Sequence, residues 1–487
     1  MELKGKAYLR RKLEGYRTGV QMRYEYYSME KIDNTDGITI PAQIRDKYKA
    51  VLGWTTKAVD SLADRLIFRE FANDNFNIDE IFQYNNPDIF FDSAILSALI
   101  GSCCFIYVSK DEEGMPRLQV IEASNATGII DPITNLLTEG YAVLKRDDYE
   151  NPLLEAYFTP NETIFYPKGE EPYSIENLTG IPLLVPIIHK PDAKRPFGRS
   201  RITKSGISYQ KTAQRTIERS EITAEFYSFP QKFALGVSQD AESVESIKAT
   251  ISSFIMFTKD DDGDKPSVGQ FTTASMTPFV EQLKMAASGF AGETGLTMDD
   301  LGFPSDNPSS VEAIKASHEN LRLSGKAAHR SIGSGLRNVA YVAVCLRDDF
   351  RYMRKEFTKV KVKWEPLFEA DASTLTMLGD GAIKVNQVLP GYITAETIRD
   401  LTGIEGNMEA KPVQEAQEQK VKVTDDASDK QKNRIISTYE ITSLLSNYQK
   451  GVLSKENGIA LLASTGMSEK EAEFMLNNTK VEGKDNV

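Results

Sequence analysis

Residues able to bind metals or act as nucleophiles are few and scattered in this sequence. The histidines His189, His318 and His329 have neither the spacing of a metal-binding helix nor a neighbouring cysteine pair. Cys103 and Cys104 are adjacent within an apolar run, which is typical of buried side chains rather than of a disulfide framework. We therefore expect these groups to be structural, and we expect a protein that is not an enzyme and uses no metal or cofactor.

Motifs for nucleotide binding and for nucleophilic catalysis do not occur in the sequence. Neither Gly-x-x-x-x-Gly-Lys-Ser/Thr nor Gly-x-Ser-x-Gly is found. Residues 260–264 (DDDGD) look like part of a calcium loop, but the glutamate that closes an EF-hand loop is missing. An exposed turn is predicted there. Carboxylates are abundant, so a metal-dependent nucleic-acid enzyme is kept as an alternative.

The charge balance limits how this chain can contact nucleic acid. Aspartate and glutamate number 70 against 58 lysines and arginines, and the net charge is −12. A protein that holds DNA over its whole surface neutralises phosphates and is therefore basic. Any DNA contact is expected to be local or weak.

Apolar runs such as residues 181–188 are shorter than the roughly 20 residues needed to cross a bilayer, so no membrane contact is expected. The N-terminus has no apolar signal core, which predicts a cytoplasmic translation product.

Residues 199–227 are predicted to form a long helix whose side chains divide into three strips. At about 100° per residue, side chains three and four positions apart share a face. The apolar strip contains Ile202, Tyr209, Ala213, Ile217 and Ala224. The basic strip contains Lys204, Lys211, Arg215 and Arg219, and the acidic strip beside it contains Glu218, Glu221 and Glu225. Either the charges are solvated, or identical helices stand side by side with opposite strips facing each other.

The other patterns predict an α+β chain that is mainly helical. Apolar spacing predicts helices across residues 42–68, 79–99, 278–294 and 311–350, and alternation predicts strands at 104–109, 117–121 and 360–364. Residues 229–276 are predicted to form a small α/β insertion with strands at 231–235, 255–258 and 270–273 and a helix at 241–254. A proline- and glycine-rich break precedes residue 311, and helices are predicted at 372–389 and 394–401.

The order of these segments, together with four short motifs, resembles the portal proteins of long-tailed phages. The motifs are VDSLADRL at 59–66, GSCCFIYV at 101–108, PFGRSRI at 196–202 and EFYSFPQ at 225–231. The resemblance covers about residues 40–405 and depends on the combination and order of structural motifs.

This resemblance implies a division of the chain into the regions of a portal subunit. The implied regions are the N-terminal part of the wing at 1–197, a stem helix at 198–228, the clip at 229–276, a second stem helix at 277–298, the tunnel loop at 299–310, the rest of the wing at 311–370, the crown at 371–410, a linker at 411–434 and a helical C-terminal tail at 435–487.

The resemblance also implies a function and a set of partners. The chain would form a homododecameric ring at one capsid vertex of the virion, after assembly in the host cytoplasm, for packaging and ejection of double-stranded DNA. The terminase large subunit, a head–tail adaptor, and the major capsid and scaffolding proteins would be its partners. Phe303, Ser305, Asp306 and Asn307 of the tunnel loop would contact DNA sterically. Another virion adaptor is the alternative within the structural class.

Overall fold

The computed structural model describes residues 3–30, 48–228, 232–235, 267–270, 272, 275–304, 311–370, 372–404, 448, 454–463 and 468–477. The chain divides into two units, Met1–Gly406 and Asn407–Val487, and each is described by itself. Predicted features at 241–254, 255–258, 260–264 and 411–434 lie outside the described residues. In the described part of the chain, no helix has the length and apolar character needed to cross a membrane.

The N-terminal helices differ from their predicted bounds. They are α1 (Lys6–Tyr27), α2 (Trp54–Ala63), α3 (Ile78–Tyr84) and α4 (Pro87–Gly101), and strand β1 (Phe68–Ala72) lies between α2 and α3. The helix predicted across 42–68 is wrong for residues 48–53 and 64–67, which are not helical, and for Phe68, which begins a strand. The helix predicted across 79–99 is interrupted because Asn86 adopts a left-handed φ of 51° before Pro87.

Two antiparallel sheets follow. The first has the order β3-β2-β9, and the second has the order β4-β5-β6-β7-β8. The strands are β2 (Cys103–Lys110), β3 (Pro116–Glu122), β4 (Ala126–Ile130), β5 (Leu137–Arg146), β6 (Pro152–Phe158), β7 (Glu162–Pro167), β8 (Tyr173–Glu176) and β9 (Leu184–Ile188). The predicted strands at 104–109 and 117–121 are confirmed as a β2–β3 hairpin with Val108 opposite Leu118.

A pair of helices brackets a short ribbon in the middle of the chain. Helix α5 (Lys204–Ser228) precedes strands β10 (Lys232–Leu235) and β11 (Ser267–Gln270), and α6 (Thr277–Thr294) follows them. The strand predicted at 231–235 is confirmed, whereas its partner lies at 267–270 instead of 270–273. The helix predicted at 199–227 starts later, because residues 199–203 are used in a turn that joins it to β9.

The long helix predicted at 311–350 is two helices in the structure. They are α7 (Val311–Ser317) and α8 (Glu319–Arg347), separated at His318. Strand β12 (Lys361–Trp364) then pairs with β1, and α9 (Ala372–Val388) and α10 (Ala395–Thr402) follow. Within the second unit, α11 (Lys455–Ala463) and α12 (Glu469–Asn477) enclose a small core of Leu462, Ala472 and Leu476. The chain is thus α+β and mainly helical, as predicted.

The core of the first unit is built around the C-terminal half of α8. Val339, Val342 and Val344 are fully buried, and α8 packs against β9 and β2. Aromatic side chains fill the space toward the N-terminal helices, where the rings of Phe68 and Phe91 stack with centroids 3.8 Å apart. Burying side chains of this size contributes about 1.5–3 kcal/mol each, so this core fixes the frame from which the paired helices α5 and α6 extend.

Candidate functional site

The turn between β9 and α5 connects the sheets to the paired helices. Gly198 adopts a φ of +74° there, in the left-handed region that favours glycine. The Arg199 amide donates to the His189 carbonyl oxygen at 2.9 Å. The His189 ring closes the same turn from the other side, with Nδ1 2.7 Å from the Arg199 carbonyl oxygen. The turn therefore has little freedom to change shape.

Arg201 ties this turn to three helices. Its backbone amide donates to the Leu99 carbonyl of α4 at 2.8 Å. Its guanidinium donates from Nε to the Ala58 carbonyl of α2 at 3.2 Å and from Nη2 to the Thr294 carbonyl at the end of α6. The side chain is only 6% exposed, and this burial lowers its pKa to about 10. Arg201 is therefore a buried charge that links the segment before α5 to the end of α6 and to α2.

Helices α5 and α6 pack closely side by side because glycines lie where they meet. The ring of Tyr209 covers Gly289 so tightly that an added Cβ would overlap the ring carbons. At Gly206 an added Cβ would lie 3.4 Å from the Phe290 ring, which is ordinary van der Waals contact. The Phe290 ring centroid is 5.4 Å from that of Trp54. The predicted apolar strip is confirmed at Ala213, which is fully buried, and Ile202 is buried before the helix begins. Tyr209 contacts α6 but is 37% exposed, and Ile217 and Ala224 are half-buried.

The structure places most of the predicted basic strip at the surface. Lys204, Arg215 and Arg219 of α5 are exposed. Lys211 is half-buried, and its Nζ lies 5.8 Å from the ring centroid of Tyr26. Arg215 and Arg219 are one helical turn apart, so both guanidinium groups remain available on one face of α5.

The acidic strip is only partly as predicted. Glu221 is exposed, and Glu225 lies within α5 but its side chain is outside the described residues. Glu218 is 3% exposed and its Oε1 accepts the Ala50 amide at 3.3 Å. The prediction that Glu218 belongs to an exposed acidic strip is wrong, because this face of α5 packs on residues 50–55. Gln210, two turns earlier on that face, accepts the Thr55 amide at 2.8 Å.

The predicted loop between α6 and α7 is anchored where the structure describes it. Asp300 Oδ2 accepts hydrogen bonds from the amide and the hydroxyl of Thr297, both at 2.8 Å, and lies 3.5 Å from His318 Nε2. Burial alone would raise the pKa of Asp300, but these partners lower it. Phe303 is half-buried against the core. Ser305, Asp306 and Asn307 lie outside the described residues.

His329 and the three cysteines lie in separate, largely apolar surroundings. The His329 ring stacks on Trp364 with centroids 4.7 Å apart, and burial lowers its pKa to about 4. Cys103, Cys104 and Cys345 are free and buried, and burial raises the pKa of Cys103 to about 12. The predicted burial of Cys103 and Cys104 is confirmed. Among the described residues, no group of three His, Cys, Asp or Glu side chains is arranged to hold a metal ion.

His189 gives the fold a specific sensitivity to acid. The carbonyl oxygen of Arg199 can only accept, so Nδ1 carries the proton of the neutral ring and the buried Nε2 has no hydrogen-bond partner in the described part of the chain. Burial lowers the pKa of His189 to about 4. An unfolded histidine titrates near pH 6.5, so the unfolded chain takes up this proton first as the pH falls.

We therefore predict that the free energy of unfolding falls between pH 6.5 and pH 4. The contribution of His189 alone is about 3 kcal/mol, and His329 acts in the same direction. Urea denaturation at pH 7.5, 6 and 5 measures this slope. The variant His189→Gln should be less stable at pH 7.5 but lose less stability on acidification. An unchanged slope in His189→Gln would exclude this residue as the cause.

Comparisons with known proteins point to one family. A sequence model described as "Phage portal protein, SPP1 Gp6-like" matches residues 8–423 of this chain. The portal protein of Mycobacterium phage L5 is 26% identical over 318 residues, which are 61% of this chain and 65% of that protein. The portal protein of Mycobacterium phage D29 is 27% identical over 320 residues, with the same coverage. The chain thus spans 65% of the length of these relatives.

Solved structures that contain a similar chain include those of gene transfer agent particles. A chain in the virion of a native particle has a TM-score of 0.42 and 11% identity, and the match covers 80% of this chain and all of that one. A chain from the neck of the native particle, computed with twelvefold symmetry, has a TM-score of 0.41 and 13% identity, with the same coverage.

Proposed function

The chain belongs to the family of phage portal proteins described as SPP1 Gp6-like, and we propose that it forms a ring-shaped channel for DNA at one vertex of a viral capsid. The observation that carries this proposal is the family match. It runs from residue 8 to residue 423 and includes both paired helices and the ribbon between them. The proposed role is structural rather than catalytic.

The proposed regions follow the order of elements along the chain. Helices α5 and α6 are the stem, and the segment between them, with the β10–β11 ribbon, is the clip. The sheets and helix α8 form the wing, the segment at 299–310 is the tunnel loop, and α9 and α10 form the crown. The close packing of α5 against α6 supports the stem assignment, because two adjoining helices make a stiff element that can repeat around a ring.

The electrostatics of the chain are suited to a passage for DNA. A channel that transports a polyanion must not bind it strongly, and a net charge of −12 disfavours strong binding over the whole surface. We propose that the tunnel loop, with Phe303 at its anchored start and Ser305, Asp306 and Asn307 beyond it, narrows the channel. These side chains can contact DNA without neutralising its phosphates.

The proposed partners are the neighbouring copies in a ring of twelve subunits and the proteins of a phage head. Exposed Arg215 and Arg219 of one α5 would face Glu221 and Glu225 of the next copy in a heterologous interface. The terminase large subunit would dock on the clip during packaging. A head–tail adaptor would bind later, and the major capsid and scaffolding proteins would surround the wing.

Labelling of phage heads with gold-conjugated antibodies against this chain tests the proposal. The expected result is label at a single vertex in mature virions and also in DNA-free precursor heads, because a packaging channel must be present before DNA enters. Label spread over the shell would contradict the proposal. Label confined to DNA-filled heads would instead support an adaptor that joins after packaging.

A further inference from the structure

A cleft with several arginines lies where the five-stranded sheet meets the end of α8. Its volume is about 530 Å³, and Leu136, Ile181, Tyr341, Arg351 and Arg354 are among its lining residues. A smaller hollow of about 80 Å³ shares Tyr341 and Arg354 with it and adds Arg337. We name the two together the arginine cleft.

Arg354 is held in place by one end of its guanidinium and is unpaired at the other. Its Nη2 donates to the Thr134 carbonyl at 2.8 Å and to Asn338 Oδ1 at 3.0 Å. Its Nη1 is buried and has no hydrogen-bond partner in the described part of the chain. A buried donor without a partner costs roughly 1–3 kcal/mol. Because Arg354 lines the cleft, an acceptor that entered the cleft and reached Nη1 would remove this cost.

The cleft has more positive than negative charge. In the part of the chain that the structure describes, Arg337, Arg351 and Arg354 form no ion pair within 4 Å. Asp131 also lines the cleft, and its charge interacts with that of Arg354. Its oxygens accept hydrogen bonds from the Ile133 amide at 3.2 Å and from the Thr134 hydroxyl at 2.5 Å. Three guanidinium groups against this one carboxylate leave the positive charge in excess. A surplus of guanidinium groups at one place is notable in a chain whose net charge is −12.

Exposed apolar side chains flank the charged groups. Ile133 is 88% exposed, Met353 is 72% exposed and Phe350 is 59% exposed. Each is next in sequence to a residue that lines the cleft, namely Thr134, Arg354 and Arg351. Arginine, methionine and aromatic residues are enriched where proteins bind other proteins. This combination favours an occupant with both a carboxylate and apolar side chains.

We propose that the arginine cleft binds an acidic segment of a partner protein. A glutamate or aspartate carboxylate of that segment accepts from Arg354 Nη1 and from Arg351 or Arg337, and a neighbouring apolar side chain packs on Leu136, Ile181 and Tyr341. Arginine binds carboxylates and phosphates equally well in geometric terms. The apolar lining and the flanking exposed apolar side chains favour a peptide over nucleic acid, because a sugar–phosphate backbone has no apolar side chain to pack against them. The proposal does not depend on ring formation.

Fluorescence anisotropy with a labelled peptide, Gly-Leu-Glu-Leu-Asp-Leu-Gly, tests the proposal on the full chain. The matched peptide has glutamine and asparagine in place of the two acids. The acidic peptide is expected to bind at least tenfold more tightly than its amide counterpart. Arg351→Gln and Arg337→Gln should each weaken the acidic peptide severalfold, and the double variant at least tenfold. Arg330→Gln is the control, because Arg330 is an exposed arginine two turns earlier on α8 and should leave binding unchanged.

Three outcomes would overturn the proposal. The first is equal binding of the acidic and amide peptides by the parent chain. The second is unchanged binding of the acidic peptide in the Arg337→Gln, Arg351→Gln double variant. The third is tighter binding of a DNA duplex than of the acidic peptide, lost in the same double variant, which would assign the cleft to phosphates. Arg354 is left intact in these variants because it also holds Thr134 and Asn338 in place.

Discussion

Replacement of Gly198 by alanine is expected to lower the free energy of unfolding of the first unit by at least about 3 kcal/mol. The residue has a φ of +74°, where an L side chain is strained. An added Cβ would also overlap the His189 carbonyl oxygen and lie 2.8 Å from Ile188 Cγ2. That carbonyl accepts the Arg199 amide, so any shift that relieves the overlap weakens the turn between the sheets and α5.

Thermal and urea denaturation of the purified variant measure this effect. The matched control is Gly15→Ala, since Gly15 lies within α1 and nothing is within 4 Å of an added Cβ there. Alanine is favoured over glycine in a helix interior by roughly 0.5–1 kcal/mol, so the control should be as stable as the parent or slightly more stable. A Gly198→Ala variant that melts within about 2 °C of the parent would show that the turn is not constrained as described.

Reversal of two charges on α5, Arg215→Glu with Arg219→Glu, is expected to prevent ring assembly. The two exposed guanidinium groups are one turn apart, and the proposed interface places them against acidic side chains of the next copy. Each such pair contributes only about 0.2–1 kcal/mol, but reversal also creates like-charge repulsion at every interface of a closed ring. The repeated loss amounts to roughly 10 kcal/mol or more over about a dozen interfaces.

Native mass spectrometry or light scattering reads out the assembly state of this variant. Lys326→Glu with Arg330→Glu is the matched control, because it makes the same charge change at the same spacing on exposed positions of α8. A chain that also has Glu221→Arg and Glu225→Arg should regain the ring, since the two strips are then exchanged. Rings of normal stability in the double reversal, at low salt, would contradict the proposed stem interface.

The elements that the sequence predicts well are those with a long, regular apolar period. Helix α6 and the β2–β3 hairpin lie within a residue or two of their predicted bounds. The helix prediction is wrong for the segment before α2 because tertiary contacts override its helical spacing. The Ala50 and Thr55 amides donate to Glu218 and Gln210 of α5. The break at His318 was also missed, since the spacing of apolar residues continues through it.

The functional surfaces are less visible in the sequence than the fold. Helical spacing groups charged residues into strips, but it does not tell which strip another segment covers, and Glu218 was misassigned for that reason. The arginine cleft brings together residues 131–138, 180–182 and 337–354, which are far apart in the chain. Arg201 lies in a motif that the family resemblance singled out, yet its role in joining three helices depends on contacts that only the fold provides.

The mass of the purified full chain in solution, by light scattering together with negative-stain imaging, tests the central claim most directly. One subunit has a mass of 54.4 kDa, so a ring of twelve has a mass of roughly 650 kDa. The account predicts particles of about that mass with a central hole and rotational symmetry. A stable monomer or dimer at micromolar concentration would contradict a portal ring and direct attention to an adaptor or an enzyme.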